Sequence, residues 1–316
     1  MRKLVRPPIS PGDIPEALRL NDILDQFEAD VEPLPGLAAE SAREAFVAQL
    51  IDSSRRNRYI EHLRTADLSD RVTDPGSPAF NPLMGAIVMA RRGDFDEACW
   101  MVFLYTQFGR HRRNGWALAA RFYGRLGSGE RWNWQAVKND IEGVREWLGA
   151  NSEAMRAPGA GFGNHRKYES LQGVGGGATG QTIQTYVDWV GESHAAKFAQ
   201  TTAHCADAAE RFAALYDSLQ TVMRFGRVAR FDYLSTLGKL GLADITPDLA
   251  YLSSSSGPVQ GARIVYGHLT ADELRPRQLE LRLRALRAAL DVPYDVLEDA
   301  LCNWQKSPTS YVPFRG

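Results

Sequence analysis

The chain is poor in cysteine, poor in strand signals and without any long apolar run. Its three cysteines, Cys99, Cys205 and Cys302, lie far apart and are odd in number. That argues against a disulfide framework and for a reducing, cytoplasmic setting. No C-x-x-C occurs and the six histidines show no paired spacing, so neither a metal site nor a cofactor is expected. The G-x-S-x-G turn of a serine hydrolase is missing. No run of about 18 apolar residues exists, so no membrane span is expected. The opening MRKLVRPPISPGDIPEALRL starts basic, but no apolar core follows, and it does not read as a signal peptide. Net charge is −1 over 316 residues, which argues against a non-specific nucleic-acid coat.

What is present is unevenly distributed charge on a helical pattern. Asp13 to Glu32 is acidic, whereas Ala98 to Gly129 holds Arg110, His111, Arg112, Arg113, Arg121 and Arg125 without an acid. Arg224 to Lys239 is again basic, with Asp232 as its only acid. Apolar residues recur at helical spacing almost throughout. Asp13 is placed to cap a helix ending near Asp30, and Ser41 with Glu44 forms a capping-box pattern, as does Thr270 with Glu273. One helix is expected on each side of the Arg91–Asp94 turn, one from Trp132 to Trp147, and others over 182–201 and 206–225. ARIVYG, within residues 262–267, is the one stretch with strand character. The fold class expected is therefore all-α, with an N-terminal arm and helical layer over 1–75 and a larger helical domain over 76–316.

Five stretches carry candidate chemistry. Phe225 to Tyr251 combines a glycine turn at Gly226 with Arg227 and Arg230 at a helix start, a geometry that binds phosphate through the helix dipole and unpaired N–H groups. Asp244 and Asp248 follow it. The glycine-rich segment 155–180 contains GFGNHRKYESL, in which His165, Arg166, Lys167, Tyr168 and Glu169 cluster. A basic and aromatic loop suits base stacking and phosphate contact. FGRHRRNGW, with Arg110, offers further phosphate contacts. GGGATGQT (175–182) approaches the phosphate-loop pattern, but Gln181 stands where lysine is required and no apolar strand precedes it, so a hinge is the better account. In LEDALCNWQKSP, Glu298 and Cys302 share a helix face, and Glu298 and Lys306 are candidate contacts to a site.

GFGNHRKYESL, FGRVARFDYLSTLGKLGL, SSGPVQGAR and LEDALCNWQKSP, spread from about residue 80 to the end, together resemble the alpha-glutamyl/putrescinyl thymine pyrophosphorylase family, clade three. That family is similar to the helical domain of 5-hydroxymethyluridine DNA kinases and, distantly, to helix-hairpin-helix DNA glycosylases. The resemblance implies a helical, glycosylase-like bundle whose partner is DNA with modified bases. The family name comes from a proposed role in phage thymine hypermodification, in which an amine displaces the pyrophosphate of a modified base. Relatives in the wider superfamily are associated with excision of modified bases in phage defence.

Carried onto this sequence, the glycosylase likeness makes Gly226 the hairpin glycine and Asp248 the catalytic carboxylate, with Asp232 the second candidate. Bifunctional glycosylases place a lysine near the start of the post-hairpin helix. Here that neighbourhood holds Arg227 and Arg230, which stay protonated and form no Schiff base. Hydrolytic, monofunctional cleavage of a flipped modified pyrimidine is the expectation. His165, Arg166, Lys167, Tyr168 and Glu169 would line the pocket, and Arg110, Arg227 and Arg230 would hold the backbone. Two alternatives stand beside it: a pyrophosphorylase or transferase replacing a diphosphate with an amine, and a non-catalytic reader of modified DNA.

Overall fold

The computed structural model describes residues 9–157, 159–267 and 275–313, with Asn164 described by its backbone alone. The Thr270–Glu273 capping box lies outside these residues. Among them are fourteen α-helices and no β-strand, so the protein is all-α. In chain order the helices are α1 (Ile14–Asp30), α2 (Glu40–Thr65), α3 (Pro82–Arg91), α4 (Phe95–Phe108), α5 (Ala117–Tyr123), α6 (Trp134–Asn139) and α7 (Ile141–Arg156). They continue as α8 (Thr179–Val190), α9 (His194–Thr201), α10 (Ala208–Ser218), α11 (Arg227–Leu240), α12 (Gly257–Val265), α13 (Pro276–Leu290) and α14 (Tyr294–Trp304).

Short polar side chains set most of the boundaries. Asn81 accepts from the N–H groups of Leu83 and Met84, with Pro82 at the first helical position of α3. Asp94, Asp140, Ser193 and Asp207 cap α4, α7, α9 and α10 in the same way. These caps correct two expectations. The single helix over Trp132–Trp147 is two, because Asp140 leaves helical geometry (φ −140°, ψ 63°) and caps the next helix. The single helix over 182–201 breaks at Gly191 (φ 68°) and restarts at Ser193. ARIVYG is a helix end and not a strand. Val259, Ala262, Val265 and Tyr266 recur at helical spacing on the buried face of α12, and Gly261 lets that face approach the Leu301 carbonyl, where an added Cβ would sit 2.4 Å away.

The chain divides into two compact units, one made of residues up to Tyr59 together with those from Pro247 onward, the other of Ile60–Thr246. In the first, α1, α2, α12, α13 and α14 bury Leu24, Phe46, Leu252, Leu283, Leu297 and Trp304 in a common core. The Phe46 and Trp304 rings meet edge to face at 5.2 Å. Glu280 of α13 is buried there with a purpose: its carboxylate accepts from the backbone N–H of Ala250 and of Leu252, at 3.1 and 2.5 Å. In the second unit the core is aromatic. Trp100 and Phe103 of α4 stack at 5.0 Å, Phe103 stacks on Tyr186 of α8 at 4.0 Å, and Phe225 lies 5.6 Å from Phe103. No helix among the described residues is long and apolar enough to cross a membrane.

Candidate active site

The site is built where the last turn of α4, the segment 159–178 and the first turns of α11 meet inside the second unit. Gly109 ends α4 at φ 62°. The Phe108 carbonyl then accepts from the Gly163 N–H at 2.8 Å, and Phe162 stacks on Phe108 with rings 5.8 Å apart and 9° from parallel. The two backbones are so close that a Cβ on Gly163 would lie 2.8 Å from the Gly109 carbonyl carbon. Arg166 follows and turns inward. It is 7% exposed. Its guanidinium donates to the Gln107 side-chain oxygen, to the Gln107 carbonyl at 3.3 Å and to the Arg224 carbonyl at 3.2 Å. Burial draws its pKa below the usual guanidinium range.

Glu169 gathers the second arginine. Its carboxylate lies 3.3 Å from the Arg224 guanidinium and 3.9 Å from that of Arg166. Beyond it the loop closes on itself: Ser170 N–H donates to the Gly177 carbonyl at 3.2 Å, and Thr179 N–H to the Ser170 carbonyl at 2.8 Å. Close packing explains the glycines that imitate a phosphate loop. A Cβ on Gly173 would lie 1.9 Å from the Arg145 carbonyl oxygen, and one on Gly180 would lie 2.3 Å from the Gly173 oxygen.

With Arg166 inside, the exposed chemistry of the loop is His165, Lys167 and Tyr168. Tyr168 is 80% exposed, and the Lys167 ammonium stands 5.0 Å from its ring centre. His165 Nδ1 lies 4.0 Å from the carboxylate of Asp232 on α11, and both side chains are about half exposed. A cleft of about 300 Å³ opens at Lys167 and Tyr168, lined also by His111, Arg156, Phe162 and Glu169 among others. His111 Nδ1 accepts from the Asn114 N–H at 3.2 Å, so in the neutral ring the proton sits on Nε2.

The other arginines divide by what they touch. Arg227 is buried with its guanidinium 4.8 Å from the Phe231 ring, and Arg230 lies 4.2 Å from the Tyr216 ring while donating to the Tyr216 carbonyl at 3.2 Å. Gly226, the residue before α11, and Arg110 are exposed. Asp248, Glu298 and Lys306 belong to the first unit. There Asp248 accepts from the Tyr251 hydroxyl at 2.6 Å, Glu298 is buried, and Lys306 donates to the Asn303 side-chain oxygen at 2.9 Å. Asp244 is paired with Arg211. Among the described residues no group of three or more His, Cys, Asp or Glu side chains is arranged to hold a metal.

Sequence reasoning missed the buried polar groups of the second unit. His194, wholly buried, stands between Asp96 and Tyr186, and Tyr186 meets Tyr233. Glu97 accepts from the Tyr123 hydroxyl at 2.8 Å and the Trp134 N–H at 2.6 Å, and its burial pushes its pKa up to about 7. No local motif marks these residues, because their partners come from distant helices.

The family model for alpha-glutamyl/putrescinyl thymine pyrophosphorylase clade 3 matches residues 41–316. The chain belongs to this family. No curated protein matches the chain, and no solved structure does. The matched span covers every candidate residue described above, in both units.

Proposed function

We propose that the protein is an enzyme acting on a modified thymine in DNA, with His165 and Asp232 as its reacting pair. The observation that carries this reading is the 4.0 Å approach of a half-exposed imidazole, on the loop that also exposes Lys167 and Tyr168, to a half-exposed carboxylate. His165 would take a proton from an attacking nucleophile, with the Asp232 carboxylate opposite its Nδ1. Tyr168 offers a flat face for an unstacked base, and Lys167 and Arg224 offer charge to phosphates.

The pyrophosphorylase in the family description favours displacement at the substituent of the base. An amine nitrogen would form a bond to the exocyclic carbon as the bond from that carbon to the diphosphate oxygen breaks. The amine proton would pass to His165, and pyrophosphate would leave. Arg156, Lys167 and the Nε2–H of His111 line the adjoining cleft, and Glu169, the acid there, already faces two guanidinium groups. That lining suits an anion such as the departing diphosphate.

A second reading, N-glycosidic hydrolysis, is favoured by the start of α11. The exposed Gly226 precedes a helix whose first turns carry arginines and no lysine, so water rather than an enzyme amine would be the nucleophile. Here Asp232 would stabilise the cationic sugar.

The experiment is incubation of the purified protein with DNA bearing pyrophosphorylated 5-hydroxymethyluracil, with glutamate or putrescine supplied. Pyrophosphate release with the base retained supports displacement, whereas abasic sites support hydrolysis. Asp232→Asn is expected to lower either turnover by on the order of a hundredfold. Binding without turnover, unchanged in Asp232→Asn, would leave a reader of modified DNA and overturn the enzyme reading.

A further inference from the structure

The second unit contains a directional hydrogen-bond chain that crosses its core and ends on α11. Asp96, at the start of α4, accepts from the backbone N–H of His194 at 2.8 Å and stands 2.7 Å from His194 Nδ1. His194 Nε2 is 2.7 Å from the Tyr186 hydroxyl, and that hydroxyl is 2.8 Å from the hydroxyl of Tyr233. Tyr233 is the residue after Asp232 on α11. His194, Tyr186 and Tyr233 are all buried.

The directions of the protons follow from the ends. Ionised Asp96 can only accept, so the neutral ring carries its proton on Nδ1. Nε2 must then accept, and Tyr186 is its donor. The Tyr186 oxygen is left to accept from Tyr233. Three protons point the same way, toward Asp96, and every polar group of the chain is satisfied.

We propose that this chain is a proton-sensitive latch: neutral His194 clamps α8 to α11 and so positions Asp232 opposite His165, and a protonated His194 releases it. A second proton makes Nε2 a donor. The Tyr186 oxygen must then accept from Nε2–H, and with the Nε2 lone pair gone one of the two tyrosine O–H groups is left without an acceptor. The Tyr233 ring packs edge to face on Phe225, with ring centroids 5.8 Å apart, and Cys99 is an electrostatic neighbour besides Asp96 and Tyr186. A buried hydroxyl without an acceptor is unfavourable, and the contact between α8 and α11 loosens.

The surroundings of His194 support the neutral state. Asp96 of α4 favours the imidazolium, and Lys138 of α6 opposes it. The Trp134 ring of α6 at 4.5 Å and Phe198 of α9 close the remaining sides without charge. Burial is the largest influence and draws the pKa of His194 below the usual imidazole range. A depressed histidine pKa gives stability that is full above the ordinary value and is lost as pH falls toward the folded one. His194 is therefore a positioning residue that acts through Tyr186 and Tyr233. Its effect on turnover rests on the reading of Asp232 as a reacting group; the latch itself does not.

The test is a pH titration of the full chain by NMR, following the His194 ring and the backbone amides of Asp232 and Tyr233 together. The expected result is that the amides of α11 shift with the same midpoint as His194, below the ordinary histidine range. In Tyr233→Phe the neutral chain from Tyr186 to Asp96 stays intact, and His194 should titrate without moving the α11 amides. His194→Gln should abolish the shared transition. Amides of α11 that ignore His194 in the unaltered protein would overturn the latch. Under the substrate assay, the latch predicts that kcat falls through the same transition while KM for DNA holds. A shared NMR transition without that fall in kcat keeps the latch and instead defeats the role given to Asp232.

Discussion

The guanidinium of Arg166 reaches both the side-chain oxygen and the backbone carbonyl of Gln107, and so makes the last turn of α4 the floor of the glycine-rich loop. A basic residue from the most conspicuous surface motif of the sequence is thereby an internal strut. Its neighbours His165, Lys167 and Tyr168 are turned outward because Arg166 is held inward.

Replacing that strut should loosen the loop more than it changes surface charge. Arg166→Ala leaves the Gln107 and Arg224 carbonyls without their donor and removes one of the two guanidinium groups facing Glu169. Removing one partner of a buried, charge-assisted network costs about 3 kcal/mol. Urea unfolding should show a loss of this order, and limited proteolysis should cut within residues 159–178 before the rest of the chain.

The glycines of GGGATGQT should respond to packing and not to nucleotides. Gly180→Ala sets a Cβ 2.3 Å from the Gly173 carbonyl oxygen, which is backbone and cannot swing aside. A loss of about 1–3 kcal/mol is expected from forcing the chain apart, read as a lower melting temperature. Nucleoside triphosphates should not raise the melting temperature of the unaltered protein.

Glu97 should make stability fall as pH rises. Burial pushes its pKa from 4.5 to about 7, so the folded protein binds this proton more tightly than the unfolded chain does. The stability it gives is full below about 4.5 and is lost as pH climbs through about 7. At about 1.4 kcal/mol per unit the loss is on the order of 3 kcal/mol. Glu97→Gln keeps an acceptor for the Trp134 N–H and replaces the acceptor facing the Tyr123 hydroxyl with an uncharged amide donor, and its stability between pH 5 and 8 should be flatter, as measured by denaturant midpoints. His194 contributes the opposite slope over an overlapping range, so the comparison is best made in a His194→Gln background.

Arg110, Arg112 and Arg113 are exposed on the turn after α4. If they contact phosphates, their joint replacement by alanine should weaken DNA binding uniformly across sequences. The slope of log affinity against log salt should become shallower by up to about 3. A titration at several salt concentrations checks this, and an unchanged slope would remove the turn from the interface.

Much of the architecture was legible in local chemistry. Helical periodicity marks α3 and α4 on either side of the Arg91–Asp94 turn, whereas the capping side chains Asn81 and Asp207 emerge only in the structure. The missing phosphate-loop lysine is plain at Gln181. The sequence by itself therefore determined an all-α chain with a basic, aromatic loop after α7 and an arginine-rich start to α11. It could not determine which of those charges face outward. Arg166, Arg227 and Arg230 look like His165, Lys167 and Arg224 in sequence, yet the first three end against Gln107, Phe231 and Tyr216. The tertiary structure also brought Asp232 to His165 and joined Asp96, His194, Tyr186 and Tyr233 from four helices. Local propensity and capping act within a few residues, so they are written in order along the chain. Burial and hydrogen bonding between helices depend on which surfaces pack, and that is fixed only when the whole unit folds.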